Sequence, residues 1–227
     1  MQKNLSRGFT LIELFIVTTI ILILASLAYP VYTSTQERAR ATQDMSNLRQ
    51  IGLAAQMYFN DNDGLIFSPT VTWMSLLKPK YLPAWKIFQS PFDKRPSSEV
   101  GDATTPVSYG LNGNTGIAGL AGEKVTNPSA FILFAPGQTS AATVLFSGSA
   151  GQGSPGVTVY KGSTVPGGNY ASATPPHGTH SSRTRINALF MDSHSESMTW
   201  SRFINDSTTD TTDPDAQYRW APYQPYP

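Results

Sequence analysis

The sequence contains no cysteine. Disulfide staples and thiolate metal centres are therefore excluded, and the chain must hold its loops by packing, backbone pairing or a metal bound through other groups. Charge is scarce as well. Asp, Glu, Lys and Arg make up 14% of the residues, with 16 basic against 15 acidic side chains. No basic excess remains to build the surface that charge-driven nucleic-acid binding requires. No glycine-rich turn follows a strand and opens a helix as a phosphate cradle does, and the serine-rich loops lack the base and orienting group of a nucleophilic enzyme. There is one long hydrophobic run, Phe9 to Tyr29, and its only charge is Glu13. The 227 residues suit a single anchored domain with roughly 160 residues of globular part, enough to bury a core without staples.

At about 1.5 Å of rise per residue the apolar run would extend roughly 30 Å, the thickness of a bilayer core. A carboxylate inside such a segment costs about 2.5–3.5 kcal/mol at mid-membrane and marks a functional site by default. Near the helix N-terminus the cost falls, because free amides and the helix dipole favour negative charge. Nothing in its own segment is expected to supply a partner for Glu13. Lys3 and Arg7 in Met1–Gly8 keep that leader on the cytoplasmic side. A secretory signal peptide cut near Ser26-Leu27-Ala28 would share the basic start, but its apolar region runs only about 7–15 residues. A permanent single-pass anchor explains the length and gives Glu13 no role.

Gly8-Phe9-Thr10-Leu11-Ile12-Glu13 resembles the processing site of type IV prepilins and of the pseudopilins of type II secretion. The resemblance implies cleavage between Gly8 and Phe9 by a prepilin peptidase and N-methylation of Phe9. It further implies that Glu13 pairs with the terminal amine of a neighbouring subunit, and that Pro30 falls where many members carry a helix-loosening proline. The expected fold is α+β, a pilin fold. Residues 1–8 are the leader, 9–60 a long helix spanning the membrane over 9–29, and 61–227 a globular β-rich domain with a small antiparallel sheet and long loops. Removing the leader takes away Lys3 and Arg7, leaving 14 basic side chains against 15 acidic ones.

After Pro30 the pattern stays helical. Met45, Leu48, Ile51, Ala55 and Tyr58-Phe59 recur at spacings of three and four, an amphipathic stripe to lie on a sheet. Glu37, Arg38, Arg40, Asp44, Asn47, Arg49 and Gln50 are expected on the opposite, outward side. Asn60-Asp61-Asn62-Asp63-Gly64 closes the helix; it also resembles half of a calcium loop but lacks the downstream Glu. Trp73–Leu77 reads as a short helix stopped by Pro79, and Tyr81–Phe88 as an aromatic linker. Strands are predicted at 107–111, 130–135, 143–147, 157–160, 187–191 and 196–200, with Phe131–Phe134 central. Gly148–Pro176 reads as a long loop, and the aromatic tail after Asp206 should dock on the domain or on the next subunit.

A second resemblance is carried by Trp73, Ser90-Pro91, Tyr109-Gly110-Leu111-Asn112 and Asn187-Ala188-Leu189-Phe190-Met191-Asp192-Ser193-His194. It is similar to large pseudopilin-like proteins with a C-terminal His-to-Asp-Gly motif. Here Ser90 stands for the usual Cys, Ser193 for the Gly, and eleven residues rather than nine separate His180 from Asp192. The only enzyme-like cluster is His177, His180, Asp192 and His194, a set that zinc could use. Asp192 and His194 are expected on one polar face of a strand. His177-Gly178-Thr179-His180 lacks the helical spacing and general-base Glu of a zinc hydrolase. No cofactor, metal or enzymatic activity is therefore expected.

The function implied is assembly: a pilin of a type IV pilus, polymerising with copies of itself at the inner (cytoplasmic) membrane on an assembly platform, with the filament outside. A type II secretion pseudopilin and a membrane-tethered binding module are the alternatives. Nucleic acid is not indicated as a partner.

Overall fold

The computed structural model describes residues 9–67, 71–97, 99–114, 117, 119–138, 143–146, 148–150, 158–159, 177–205 and 212–223. The chain divides into two compact units, residues 1–39 and 40–227. Helix α1, Leu11–Asp61, contributes to both.

In the first unit, the helix is long and apolar enough to cross a membrane, and none of its most apolar window is buried within the chain. Leu11, Leu22 and Leu27 are among the most exposed side chains, at 85%, 69% and 68%. Such a surface is stable only when lipid or another protein covers it. The helix runs through Pro30. That residue brings no N–H, so the carbonyl one turn earlier loses its intrahelical donor. The Thr18, Thr19 and Ser26 hydroxyls donate back to carbonyls of their own turns, which leaves no polar hydrogen of theirs facing an apolar solvent.

In the second unit, strands β1 (Tyr109–Asn112), β2 (Ile132–Pro136), β3 (Thr158–Val159), β4 (Arg185–Phe190) and β5 (Ser195–Thr199) form one sheet in the order β3-β1-β2-β4-β5. β1, β2, β4 and β5 pair antiparallel, and the short β3 adds in parallel beside β1. The most apolar segment is central, as its composition predicts. The register slips between Ile132 and Phe134, so Leu133 and Phe134 both reach the same core while Ile132 and Ala135 face the other. A bulge of this kind changes which way successive side chains point.

The sheet is covered on both faces. On one, Leu48, Ile51, Ala55 and Phe59 of α1 pack with Phe67, helix α2 (Trp73–Leu77), Phe88 and Leu189. A Cβ on Gly52 would lie 2.9 Å from Leu189 Cδ1, so glycine permits this close approach of helix and strand. On the other face, Ile186, Ala188 and Phe190 meet Trp200, Phe203 and Trp220. Helix α3 (Trp200–Ile204) takes its first residue from the end of the strand predicted at 196–200, with the Thr199 hydroxyl accepting from the Arg202 N–H at 3.3 Å.

The C-terminal segment is held without a disulfide. Ile132 N–H donates to the Arg219 carbonyl at 3.0 Å, and Thr126 N–H to that of Pro222 at 2.8 Å. Trp220 Nε1 donates to the Phe203 carbonyl at 2.9 Å. The guanidinium of Arg219, 1% exposed, pairs with Asp213 at 2.6 Å. Burial pushes the Asp213 carboxyl up, but bonds from Arg219 and the Asp215 N–H, with the charges of Arg219 and Arg202, hold it below its ordinary value. A depressed folded pKa means this contribution is present above the unfolded value of 3.8 and is lost as pH falls through the folded one. Asp213→Asn keeps an acceptor for Arg219 but removes the charge. It is expected to cost about 1–2 kcal/mol at pH 7 and progressively less as pH falls below 3.8, measured by urea unfolding of the chain in detergent across that range.

Three expectations are corrected and one is refined. Asp44 and Asn47 do not lie on the outward face of α1 but are buried, because the sheet-facing arc of the helix is wider than the apolar stripe alone. No strand forms over residues 143–146; Phe146 makes an isolated bridge to Gln138, with no ladder to extend it. The aromatic linker contains a 3-10 turn at Trp85–Phe88. Asp192 and His194 occupy the β4–β5 hairpin turn, where Ser193 has φ +70°, so they are not on one strand face. Most of the predicted 148–176 loop lies outside the described residues.

Candidate functional sites

At the start of α1, Thr10 and Glu13 cap the helix reciprocally. The Thr10 N–H and hydroxyl donate to Glu13 Oε2 at 2.9 and 2.6 Å, and the Glu13 N–H reaches Thr10 Oγ1 at 3.3 Å. This is a capping box, Thr-x-x-Glu, which satisfies donors that a helix N-terminus otherwise leaves open. The carboxylate therefore does find hydrogen-bond donors in its own segment, contrary to the sequence expectation. The pattern was visible in Thr10-Leu11-Ile12-Glu13. Among the described residues no cation accompanies it, so this contact does not compensate the charge itself. Phe9 is 80% exposed at the head of the helix; Gly8 lies outside the described residues.

A second site was not anticipated. Asp44, on the inward face of α1 and fully buried, accepts three hydrogen bonds. Ser90 Oγ and Tyr109 OH donate to its Oδ1 at 2.5 and 2.7 Å, and Asn187 Nδ2 to its Oδ2 at 2.9 Å. Asn187 reaches it because strand alternation sends Ile186 and Ala188 to one core and Asn187 to the other. Ser90, Tyr109 and Asn187 each come from a segment of the second resemblance. They converge on one carboxylate, with no cation among its hydrogen-bond donors. Burial pushes its pKa up, opposed by bonds from Ser90, Tyr109 and Asn187. The Tyr109 hydroxyl is pushed well above its usual value, by burial first and then by the charge of Asp44. The arrangement ties helix, loop and two strands together; with no open position beside the carboxylate, it is built for structure.

The histidines do not gather. His177 lies edge-on to Trp200 at 5.5 Å, and burial followed by the nearby Arg183 charge lowers its pKa, which favours the neutral ring. His180 is buried, with Nδ1 at 2.9 Å from Thr179 Oγ1 and Nε2 at 3.0 Å from Ser197 Oγ. His194 is bonded to Asp192 at 2.5 Å and stacks on Phe190. Among the described residues, no three His, Asp or Glu side chains come together as a metal-binding set. In the calcium-like segment, Asp61 accepts from Lys80 and Tyr81 and Asn62 donates to the Tyr58 carbonyl; these groups serve the helix end.

Residues 3–29 match the family model described as the prokaryotic N-terminal methylation motif. The chain is 41% identical over 58 residues to the "Type IV major pilin protein PilA" of Myxococcus xanthus, a stretch that is 26% of each protein. It is 39% identical over 62 residues to the "Type II secretion system core protein G" of Pseudomonas aeruginosa, covering 27% of this chain and 44% of that one. The chain thus spans less than half the length of either relative. No solved structure matches it. In its N-terminal quarter, a long apolar helix headed by this motif, the chain is similar to a type IV major pilin and to a type II secretion core protein.

Proposed function

We propose that the chain is a structural subunit of a helical filament, a type IV pilus, built from the inner membrane after cleavage between Gly8 and Phe9. The reading rests on the apolar surface of residues 11–32, left uncovered by the chain itself and headed by Glu13 inside the methylation motif. Cleavage creates a positive amine at Phe9. Glu13 of an incoming subunit neutralises the Phe9 amine of its neighbour where lipid-like side chains exclude water, and the apolar faces from Leu11 to Leu27 pack into that core. Pro30, which removes one helical bond, eases local bending during extraction from the bilayer. The unit from Arg40 onward supplies outer contacts and the displayed surface. Partners are other copies, a prepilin peptidase and a membrane assembly platform; the role is assembly rather than turnover.

The matched stretch is the same fraction of this chain and of the Myxococcus pilin, so the two are of closely similar length. It is a larger fraction of core protein G, which is correspondingly shorter. That comparison favours the pilus. The pseudopilus is the second reading, favoured by the convergence of Ser90, Tyr109 and Asn187 from the pseudopilin-like segments. Intact mass and N-terminal sequencing of the exported protein, with electron microscopy of sheared cells, test the proposal. Methyl-Phe9 at the terminus of filament protein is the expected result. A mature start near Tyr29, or an anchored protein with no filament and no dependence on a prepilin peptidase, would overturn it; the second outcome describes a tethered binding module.

A further inference from the structure

A cleft of about 600 Å³ opens between α1 and the segment 84–93. Two exposed cations stand at it, Arg40 and Lys86, and among the described residues neither side chain forms an ion pair or hydrogen bond. The one acid in the lining, Asp93, has a side chain only 1% exposed. It is already satisfied by Arg95 Nε and Nη2 and by the Ser108 hydroxyl. The cleft is therefore electropositive. Its polar lining includes Gln43, which is exposed, and Asn47, whose amide donates to the Gln89 carbonyl at 3.1 Å and so fixes the helix against the segment. Ala84, Ile87 and Pro91 form an apolar side.

We infer that this cleft binds an acidic peptide segment of a partner protein, with a carboxylate held between Arg40 and Lys86 and a neighbouring apolar side chain on Ala84, Ile87 and Pro91. Two cations and one amide side chain match a carboxylate and the backbone beside it. A long polyphosphate chain would need a longer basic track, and the apolar side would contribute nothing to it. The rigidity of the floor follows from Ser90, which lines the cleft and donates to the buried Asp44. The inference holds for either filament type.

The test uses the full chain in detergent and a fluorescently labelled short peptide alternating aspartate and leucine, capped at both ends. Its counterpart with asparagine for aspartate is the control, and binding is read by anisotropy. Saturable binding is expected, weakened at least about tenfold by Arg40→Ala and about a hundredfold by Arg40→Ala with Lys86→Ala, each lost charge pair being worth about 1.4 kcal/mol or more. Both residues are exposed, and unchanged circular dichroism confirms that the variants fold. Equal binding of the asparagine peptide, or unchanged binding to the double variant, overturns the inference. So does displacement of the peptide by inorganic phosphate at matched ionic strength, which would make the site one for phosphate.

Discussion

Cells producing Glu13→Ala are expected to lose their filaments while still cleaving the chain after Gly8 and retaining it in the membrane. The size of the effect follows from burial. In the proposed filament, the Phe9 amine of one subunit lies against apolar side chains and meets the Glu13 carboxylate of another. Removing one member of a buried pair costs about 3–5 kcal/mol, because the other charge stays behind uncompensated. Each subunit addition would then weaken by about 10²–10⁴-fold. The capping bonds to Thr10 give Glu13 a second role, worth about 1 kcal/mol. Glu13→Gln separates the two, since an amide oxygen still accepts from Thr10 but carries no charge. Electron microscopy and immunoblots of sheared filaments should show both variants deficient. Normal filaments from Glu13→Gln together with none from Glu13→Ala would reduce Glu13 to a helix cap.

Asp44→Ala is expected to be the most destabilising single change in the unit that begins at Arg40. It removes the acceptor of the buried Ser90 and Tyr109 hydroxyls and one of the two acceptors of the Asn187 amide, which keeps the Ala41 carbonyl, and leaves a void. Orphaned buried donors cost about 1–3 kcal/mol each where they cannot re-pair. A total of about 3–5 kcal/mol would be a large part of the 5–15 kcal/mol typical of a domain. Urea unfolding of the detergent-solubilised chain, followed by its tryptophans, measures it. Tyr109→Phe removes a single donor and should cost only about 1 kcal/mol. A loss below about 1 kcal/mol for Asp44→Ala would show that the carboxylate is not the tie between helix and sheet.

The same carboxylate gives a pH signature opposite to that of Asp213. Burial raises the Asp44 pKa from 3.8. A raised folded value means the folded state holds the proton more tightly, so the contribution is full below the unfolded pKa and declines as pH rises through the folded one. Asp44→Asn should flatten that decline, seen as a shallower fall in unfolding midpoint from pH 4 upward.

The difference between Asp44 and its neighbours shows how far the sequence could be read. The stripe of Leu48, Ile51, Ala55 and Phe59 was legible because helical spacing is local, and the central strand because Phe131–Phe134 is continuously apolar. Thr10 and Glu13 were legible in principle, being one turn apart. Asp44 was not: its partners lie 46, 65 and 143 residues away, and no local pattern distinguishes a carboxylate that will be enclosed by them from one on a solvated face. The histidines misled for the related reason that Asp192 and His194 sit in a tight turn, where alternation no longer predicts direction.

The tail that closes the second face of the sheet has a consequence for biogenesis. The Ile132 N–H in β2 donates to the Arg219 carbonyl, and Trp220 completes the core with Phe203. A domain whose central strand awaits residues near the end of the chain has high contact order and folds slowly. In the proposed export, the second face of the sheet, with Ile186, Phe190 and Phe203, would lack Trp220 until the tail has crossed. That interval would expose apolar surface and leave the Ile132 N–H without its acceptor, conditions under which misassembly competes with folding. If the chain is exported as proposed, its folding would be favoured by quick completion of translocation or by a holding factor that shields the half-built sheet.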